Sequence, residues 1–309
     1  FKFQTSRLGN ISNHNKMTNH IKLWGGLGNQ LFQYSFSKYL EKKEGKPTKF
    51  FTSKLTPIKE LDLSYFIKDI EFSSATELKS SGYFFSVPLK ERVYRKLLAK
   101  LPFLNTKVYI EKSPGFVSKF PASTNVYDGY WQAYQYLDPI ENVLRSELSF
   151  DELSFSNLHF FDDIKKNNSI SMHIRRGDYL LKANQQLFAE CSLNYYITAV
   201  REILAKVVNP VFYVFSNDVN WVREHLLKVF EKEAEFVFVD NSEITKSPVA
   251  DLFLMSLCKH QIIANSTFSW WGAWLNKNPK KIVIAPKNWY NGDLNKTTED
   301  LIPAEWIRL

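Results

Sequence analysis

Cysteine is scarce in this chain, with two among 309 residues, Cys191 and Cys258. Neither belongs to a C-x-x-C pair, so no disulfide framework is encoded, and a reducing compartment, the cytoplasm, suits the composition. Long apolar runs are also missing: no uninterrupted stretch approaches the roughly 18 residues a membrane-spanning helix needs. Residues 1–16 are polar, do not resemble a signal peptide, and read as an N-terminal extension outside the folded domains. Met17 directly precedes the first strand-like run. The six histidines show no H-E-x-x-H spacing and there is no D-x-D pair, so no metal is expected. There is no long Lys/Arg block with interleaved aromatics of the kind that binds nucleic acid. The N-x-S/T triplets at Asn10, Asn167, Asn265 and Asn295 are read as chance occurrences, since a cytoplasmic chain is not glycosylated there.

What is abundant is aromatic surface and positive charge: 25 Phe, 15 Tyr and 8 Trp, and a formal charge of +8. Most rings fill core, but ring faces also suit the apolar edges of sugars. The charge suits an anionic substrate or an anionic membrane. Short basic clusters stand at Lys42, Lys43, Lys46 and Lys49, and between Lys90 and Lys100.

His20 to Trp24 reads as a buried strand running into a glycine turn, and Gln30 to Glu44 as a helix stopped by Gly45 and Pro47. Lys49 to Thr52 reads as the next strand. Residues 53–125 carry five prolines and one basic amphipathic stretch, Leu89 to Leu101, read as a helix amid irregular structure. Val126 to Trp131 follows, then a helix-like run from Gln132. The second half alternates, with strands at 169–174, 211–216, 235–240, 261–264 and 281–285 and helices at 194–206, 219–230, 249–259 and 267–275. Continuous Val/Ile/Phe strands separated by helices predict an α/β fold with a parallel open sheet. Such sheets bind ligands beyond the carboxyl ends of their strands. Two α/β halves, residues 17–160 and 161–309, are expected to face each other across a cleft.

Three constellations follow strands. His173-Ile174-Arg175-Arg176-Gly177-Asp178-Tyr179 sets two arginines at a strand end. One is expected to reach into the cleft and the other to pair with Asp178. A guanidinium suits a diphosphate because its planar fork makes paired hydrogen bonds and stays charged. Asn265-Ser266-Thr267-Phe268-Ser269-Trp270-Trp271-Gly272 opens a helix, whose free N–H groups and dipole attract an anion. The Ser266 and Thr267 hydroxyls are candidate additional donors. Gly25-Gly26-Leu27-Gly28-Asn29-Gln30 gives a turn that allows close backbone approach. It is neither the dinucleotide pattern nor a Walker loop. Asp251, at a helix start, is either a dipole-complementing charge or a base-recognition residue. Ser216 and Asn217 are turn residues or pocket lining. Tyr130, Trp131 and Gln132 form a candidate acceptor surface.

Taken in order, G-G-L-G-N-Q-L-F-Q-Y at Gly25 to Tyr34, H-x-R-R-G-D-Y at His173 to Tyr179 and N-S-T-F-S-W-W-G-A-W-L at Asn265 to Leu275 resemble the α-1,2-fucosyltransferases of glycosyltransferase family 11, in their bacterial form. Trp131-Gln132 and Trp306-Ile307-Arg308 add to the likeness, which runs from about residue 20 to the end. The resemblance implies a GT-B-type arrangement of two facing Rossmann-like domains, the C-terminal one holding the donor. It implies GDP-β-L-fucose as donor, inversion, no metal requirement, a terminal β-galactoside as acceptor, and a cytoplasmic enzyme that builds bacterial surface polysaccharide. The short basic clusters are read as solvated faces or as peripheral contact with an anionic membrane, at its inner face, or with a lipid-linked acceptor.

By analogy with related α-1,6- and protein O-fucosyltransferases, Arg175 would bind the β-phosphate, His173 and Asp251 the guanine, and Ser266 with Thr267 the diphosphate. Gly28 and Asn29 would approach the donor from the opposite domain. Arg175, Arg176 and Asp178 are the catalytic candidates. Asp178, Glu190 and Asp128 all remain open as general base. The rival readings are a GDP-fucose transferase of another linkage and a glycan-binding protein without catalysis.

Overall fold

The computed structural model describes residues 17–55, 61–176, 186–240 and 248–309. Two parallel sheets organise the chain. The first, in the order β2-β1-β4-β3, uses Asn19–Lys22 (β1), Thr48–Phe51 (β2), Val108–Ile110 (β3) and Val126–Asp128 (β4). The second, in the order β10-β9-β8-β5-β6-β7, uses Asn168–Ile174 (β5), Pro210–Ser216 (β6), Glu235–Phe238 (β7), His260–Ile262 (β8), Val283–Ala285 (β9) and Ile307–Arg308 (β10). All recorded strand pairs within both sheets are parallel. β10 recruits the chain's last residues to the sheet edge, a strand too short to show as a pattern in sequence.

The alternation in the second half is observed nearly residue for residue, and the helix Thr267–Leu275 has the expected bounds. The first helix starts earlier, at Leu27, with Gly26 as its cap, and ends at Gly45, whose left-handed backbone (φ 64) suits a residue without Cβ. After Trp131 the expected helix is replaced by two single 3₁₀ turns, Tyr134–Tyr136 and Asp138–Ile140, and the α-helix begins only at Glu141. Pro139 explains the delay, because its ring and missing N–H are tolerated only in a first turn. The basic stretch is a helix, Pro88–Lys100.

The two sheets share one core. Phe32, from the first helix, lies 4.7 Å from Trp270 and 5.1 Å from Trp271 between ring centroids, and all three are fully buried. The double tryptophan is therefore packing, fixing helix Leu27–Glu44 against helix Thr267–Leu275. Trp270 also donates its indole N–H to the Leu301 carbonyl at 2.8 Å. Gly28 allows the approach: a Cβ there would stand 2.6 Å from the Thr267 carbonyl carbon and 2.7 Å from the Phe268 nitrogen. At Gly28 the close neighbour is the backbone of the facing helix.

Candidate active site

Strand ends from both sheets converge on one cavity of about 520 Å³. Trp24 follows β1, Glu111 follows β3, Tyr130 follows β4, Arg175 follows β5, and Ser266 with Thr267 follow β8; all six line it. Parallel strands point their carboxyl ends one way, so the loops at those ends of both sheets can line a common cleft.

On the second-sheet side, the Arg175 guanidinium donates to the Ser266 hydroxyl at 3.3 Å. Ser266 caps the helix, accepting from the Phe268 N–H at 3.4 Å in extended backbone (φ −130, ψ 127). A fixed cation and the positive end of a nine-residue helix thus share one wall. Asn265 holds that loop in place. Its amide donates to the carbonyls of Ala189 at 2.6 Å and Trp289 at 3.0 Å, and its oxygen accepts from the Cys191 thiol.

On the first-sheet side, Asn29 reaches across. Its side-chain oxygen accepts from Thr267 Oγ1 and from Gln132 Nε2, each at 3.0 Å. Gln132 in turn accepts from the Tyr290 hydroxyl at 3.1 Å. Tyr130 stacks on Trp24, ring centroids 4.1 Å apart and planes 12° from parallel, giving an aromatic floor. Arg95 adds a cation 5.2 Å from the Trp24 ring centre while pairing with Asp128.

Glu111 is the site residue that the reading of the sequence missed. Its carboxylate accepts from two successive backbone N–H groups, Tyr130 at 2.6 Å and Trp131 at 3.2 Å. Two neighbouring N–H groups aimed at one anion form a small nest. Trp131 holds its part in a left-handed backbone (φ 58) that a tryptophan adopts at a cost of roughly 1–2 kcal/mol. Gly129 leaves room, since a Cβ there would lie 2.5 Å from Glu111 Cβ. Burial pushes the Glu111 carboxyl up to about 7, against the pull of the two N–H donors. Glu111 follows β3 directly, where a strand-end rule points, but β3 has only three residues, too few to show a strand period in the sequence.

The other expected residues are distributed differently. Trp131 is fully buried and stacks on Phe36 at 4.1 Å, so it belongs to the core and offers no ring to a ligand. Arg176 turns away from the cavity. It pairs with Glu190 at 2.6 Å and Asp218 at 3.6 Å and lies 4.2 Å from the Trp221 ring centre, while its N–H donates to Asn217. Asn217 thus braces the arginine loop, and Ser216 accepts from the Asp218 N–H at 2.9 Å; neither lines the cavity. Asp178 lies outside the described residues, so the expected pairing with an arginine does too.

Of the other two base candidates, Glu190 is engaged by Arg176. Asp128 is fully buried and bonded to Arg95, Tyr83 and Lys22. His173 sits in β5 with its ring 6.1 Å from that of Phe268, and Asp251 stands partly buried in the first turn of helix Pro248–Leu257. Neither lines the cavity. Among the described residues no group of three or more His, Cys, Asp or Glu is placed to hold a metal ion, and no helix is long and apolar enough to cross a membrane.

Two parallel sheets opening onto one polar and aromatic cleft, with a cation and a helix end on one wall, define the GT-B-like class of glycosyltransferase fold. The chain belongs to glycosyltransferase family 11, whose family profile matches residues 7–309. That match begins inside the segment read as an extension, earlier than the likeness visible by eye. The O-antigen biosynthesis glycosyltransferase WbnK of Escherichia coli is 32% identical over 316 residues, covering 93% of this chain and 99% of the relative. An α-1,2-colitosyltransferase of Escherichia coli is 27% identical over 289 residues, covering 93% and 97%. Galactoside α-(1,2)-fucosyltransferase 2 of Oryctolagus cuniculus is 26% identical over 265 residues, covering 82% and 66%.

Proposed function

We propose that this chain transfers L-fucose from GDP-β-L-fucose to a glycan hydroxyl, with inversion, and that the hydroxyl is the 2-OH of a terminal β-galactoside. The observation that carries the reading is the Arg175–Ser266 contact at the mouth of helix Thr267–Leu275. A departing nucleoside diphosphate accumulates negative charge on its β-phosphate. A guanidinium and free helix N–H groups already in place stabilise that charge without reorganising, and do so most in the transition state. They supply there what a divalent cation supplies in other sugar-nucleotide enzymes. Fucose is favoured by the family and by the α-(1,2)-fucosyltransferase among its relatives.

In this account the donor lies along the second-sheet wall, residues 161–309, and the acceptor sits on the Tyr130–Trp24 platform of residues 17–160. The acceptor oxygen bonds to the anomeric carbon as the bond from that carbon to the phosphate oxygen breaks. Glu111 accepts the hydroxyl proton and later passes it to solvent. Its raised carboxyl suits a base working near neutral pH. Guanine recognition by His173 and Asp251 remains part of the proposal, on the family analogy.

A second donor is favoured by one relative, the α-1,2-colitosyltransferase. Colitose is fucose without its 3-hydroxyl, and a site built to bond that hydroxyl discriminates strongly against the sugar lacking it. The test is to incubate the enzyme with GDP-fucose and GDP-colitose, separately and in competition, across a panel of galactosides in EDTA, and to solve the product linkage by NMR. An α-1,2-fucosyl galactoside is expected, with the chelator without effect. An α-1,6 linkage, or GDP binding without turnover, would replace this reading with one of its rivals.

A further inference from the structure

The helix Pro88–Lys100 is bound to the domain by one face only. Glu91 and Leu98 are buried, and Arg95 reaches Asp128 at the cleft. The opposite face carries Leu89, Val93 and Leu97 at four-residue steps, 66%, 59% and 43% exposed, so the three stack along one side of the helix. Directly after the helix, Leu101 and the 3₁₀ turn Pro102–Leu104 add further exposed apolar residues, with Phe103 70% and Leu104 51% exposed. Clustered exposed apolar side chains in one helix and the turn that follows it are unusual for a surface that meets only water.

The charges on this face are all of one sign. Lys90, Arg92, Lys96 and Lys100 are exposed, and no recorded ion pair among the described residues involves them. The helix's single acid, Glu91, is turned inward and bonds Lys22 at 2.7 Å. An apolar stripe flanked by cations and lacking exposed anions matches the two layers of an anionic bilayer surface, acyl chains beneath acidic headgroups. A protein partner would have to present an acidic rim around an apolar groove. The bilayer offers both without further specification.

We propose that this face, helix Pro88–Lys100 with the turn Pro102–Leu104, docks the protein peripherally on an anionic lipid surface. Because Arg95 of the same helix lines the cavity beside Trp24, docking holds the acceptor wall of the cleft at a fixed height over the membrane. The proposal does not depend on the sugar transferred or on the linkage formed, and vesicle binding needs no donor.

The test is cosedimentation of the full chain with vesicles of phosphatidylethanolamine and phosphatidylglycerol, against vesicles of phosphatidylcholine alone. Binding to the anionic vesicles, weakening as salt is raised, is expected, with at least about tenfold less on the neutral ones. Two variants separate the contributions: Leu89→Ser with Val93→Ser and Leu97→Ser, and Lys90→Gln with Lys96→Gln and Lys100→Gln. Each is expected to lose about tenfold or more in anionic-vesicle binding while keeping the wild-type unfolding midpoint. No sedimentation of the wild type, or equal sedimentation of the variants, overturns the proposal. So does a dimer in sedimentation velocity that the apolar variant dissolves, which assigns the face to a second copy of the chain.

Discussion

The Thr267 hydroxyl donates to the Asn29 side-chain oxygen at 3.0 Å, joining the first turns of two helices 238 positions apart in sequence. The same oxygen takes the Gln132 amide at 3.0 Å. Asn29 therefore ties the amino end of helix Thr267–Leu275 to the loop that follows β4. Replacing it by alanine removes both bonds, a loss of about 1–3 kcal/mol at the joint. The expected result for Asn29→Ala is a folded enzyme with a clearly raised KM for the sugar nucleotide, read in steady-state kinetics with the donor varied.

Gly28 and Gly26 are close in sequence but differ in their surroundings. A Cβ at Gly28 meets the backbone of Thr267 and Phe268, which cannot rotate away, whereas nothing lies within 4 Å of one at Gly26. Gly28→Ala is expected to destabilise by about 1–3 kcal/mol through overpacking. Gly26→Ala should cost no more than about 1 kcal/mol, the loss of a favourable cap residue. Urea unfolding of the two variants compares them directly, and equal midpoints would count against the close helix contact.

As the proposed base, Glu111 predicts a pH dependence with a definite sign. A base must be unprotonated to accept the acceptor's proton, so turnover is lost as pH falls through about 7 and reaches a plateau above it. In Glu111→Gln that limb should vanish along with most of the rate, by roughly 10²- to 10⁴-fold. A variant retaining both the rate and the limb would move the base elsewhere.

Lys22 is fully buried between Glu91 at 2.7 Å and Asp128 at 3.4 Å. Arg95 completes a balanced set of two cations and two carboxylates beneath the cleft. Lys22→Met leaves an excess carboxylate in the interior. Such a break costs about 3–5 kcal/mol, to be read as a lowered midpoint in chemical denaturation.

The second sheet was legible because its strands are continuous runs of Val, Ile and Phe, and its helices alternate with them at regular length. The second-sheet wall of the cleft was legible for the same reason: Arg175 and Ser266 each follow such a strand. The first-sheet wall was not. β3 is three residues long and lies in a proline-rich stretch, so Glu111 carried no periodic signal. Arg95 looked like one more cation in a basic helix, because nothing local shows that it turns inward while Lys96 turns outward. Trp131 reads in the sequence as part of an acceptor surface, and only the packing of Phe36 against it decides for core.

The central claim is that Arg175 and the amino end of helix Thr267–Leu275 jointly receive the charge of the leaving nucleotide. A crystal structure with GDP bound tests it most directly. The account predicts the β-phosphate within hydrogen-bond distance of the Arg175 guanidinium and of the N–H groups at the start of that helix. A diphosphate seated elsewhere in the cleft, touching neither, would contradict it.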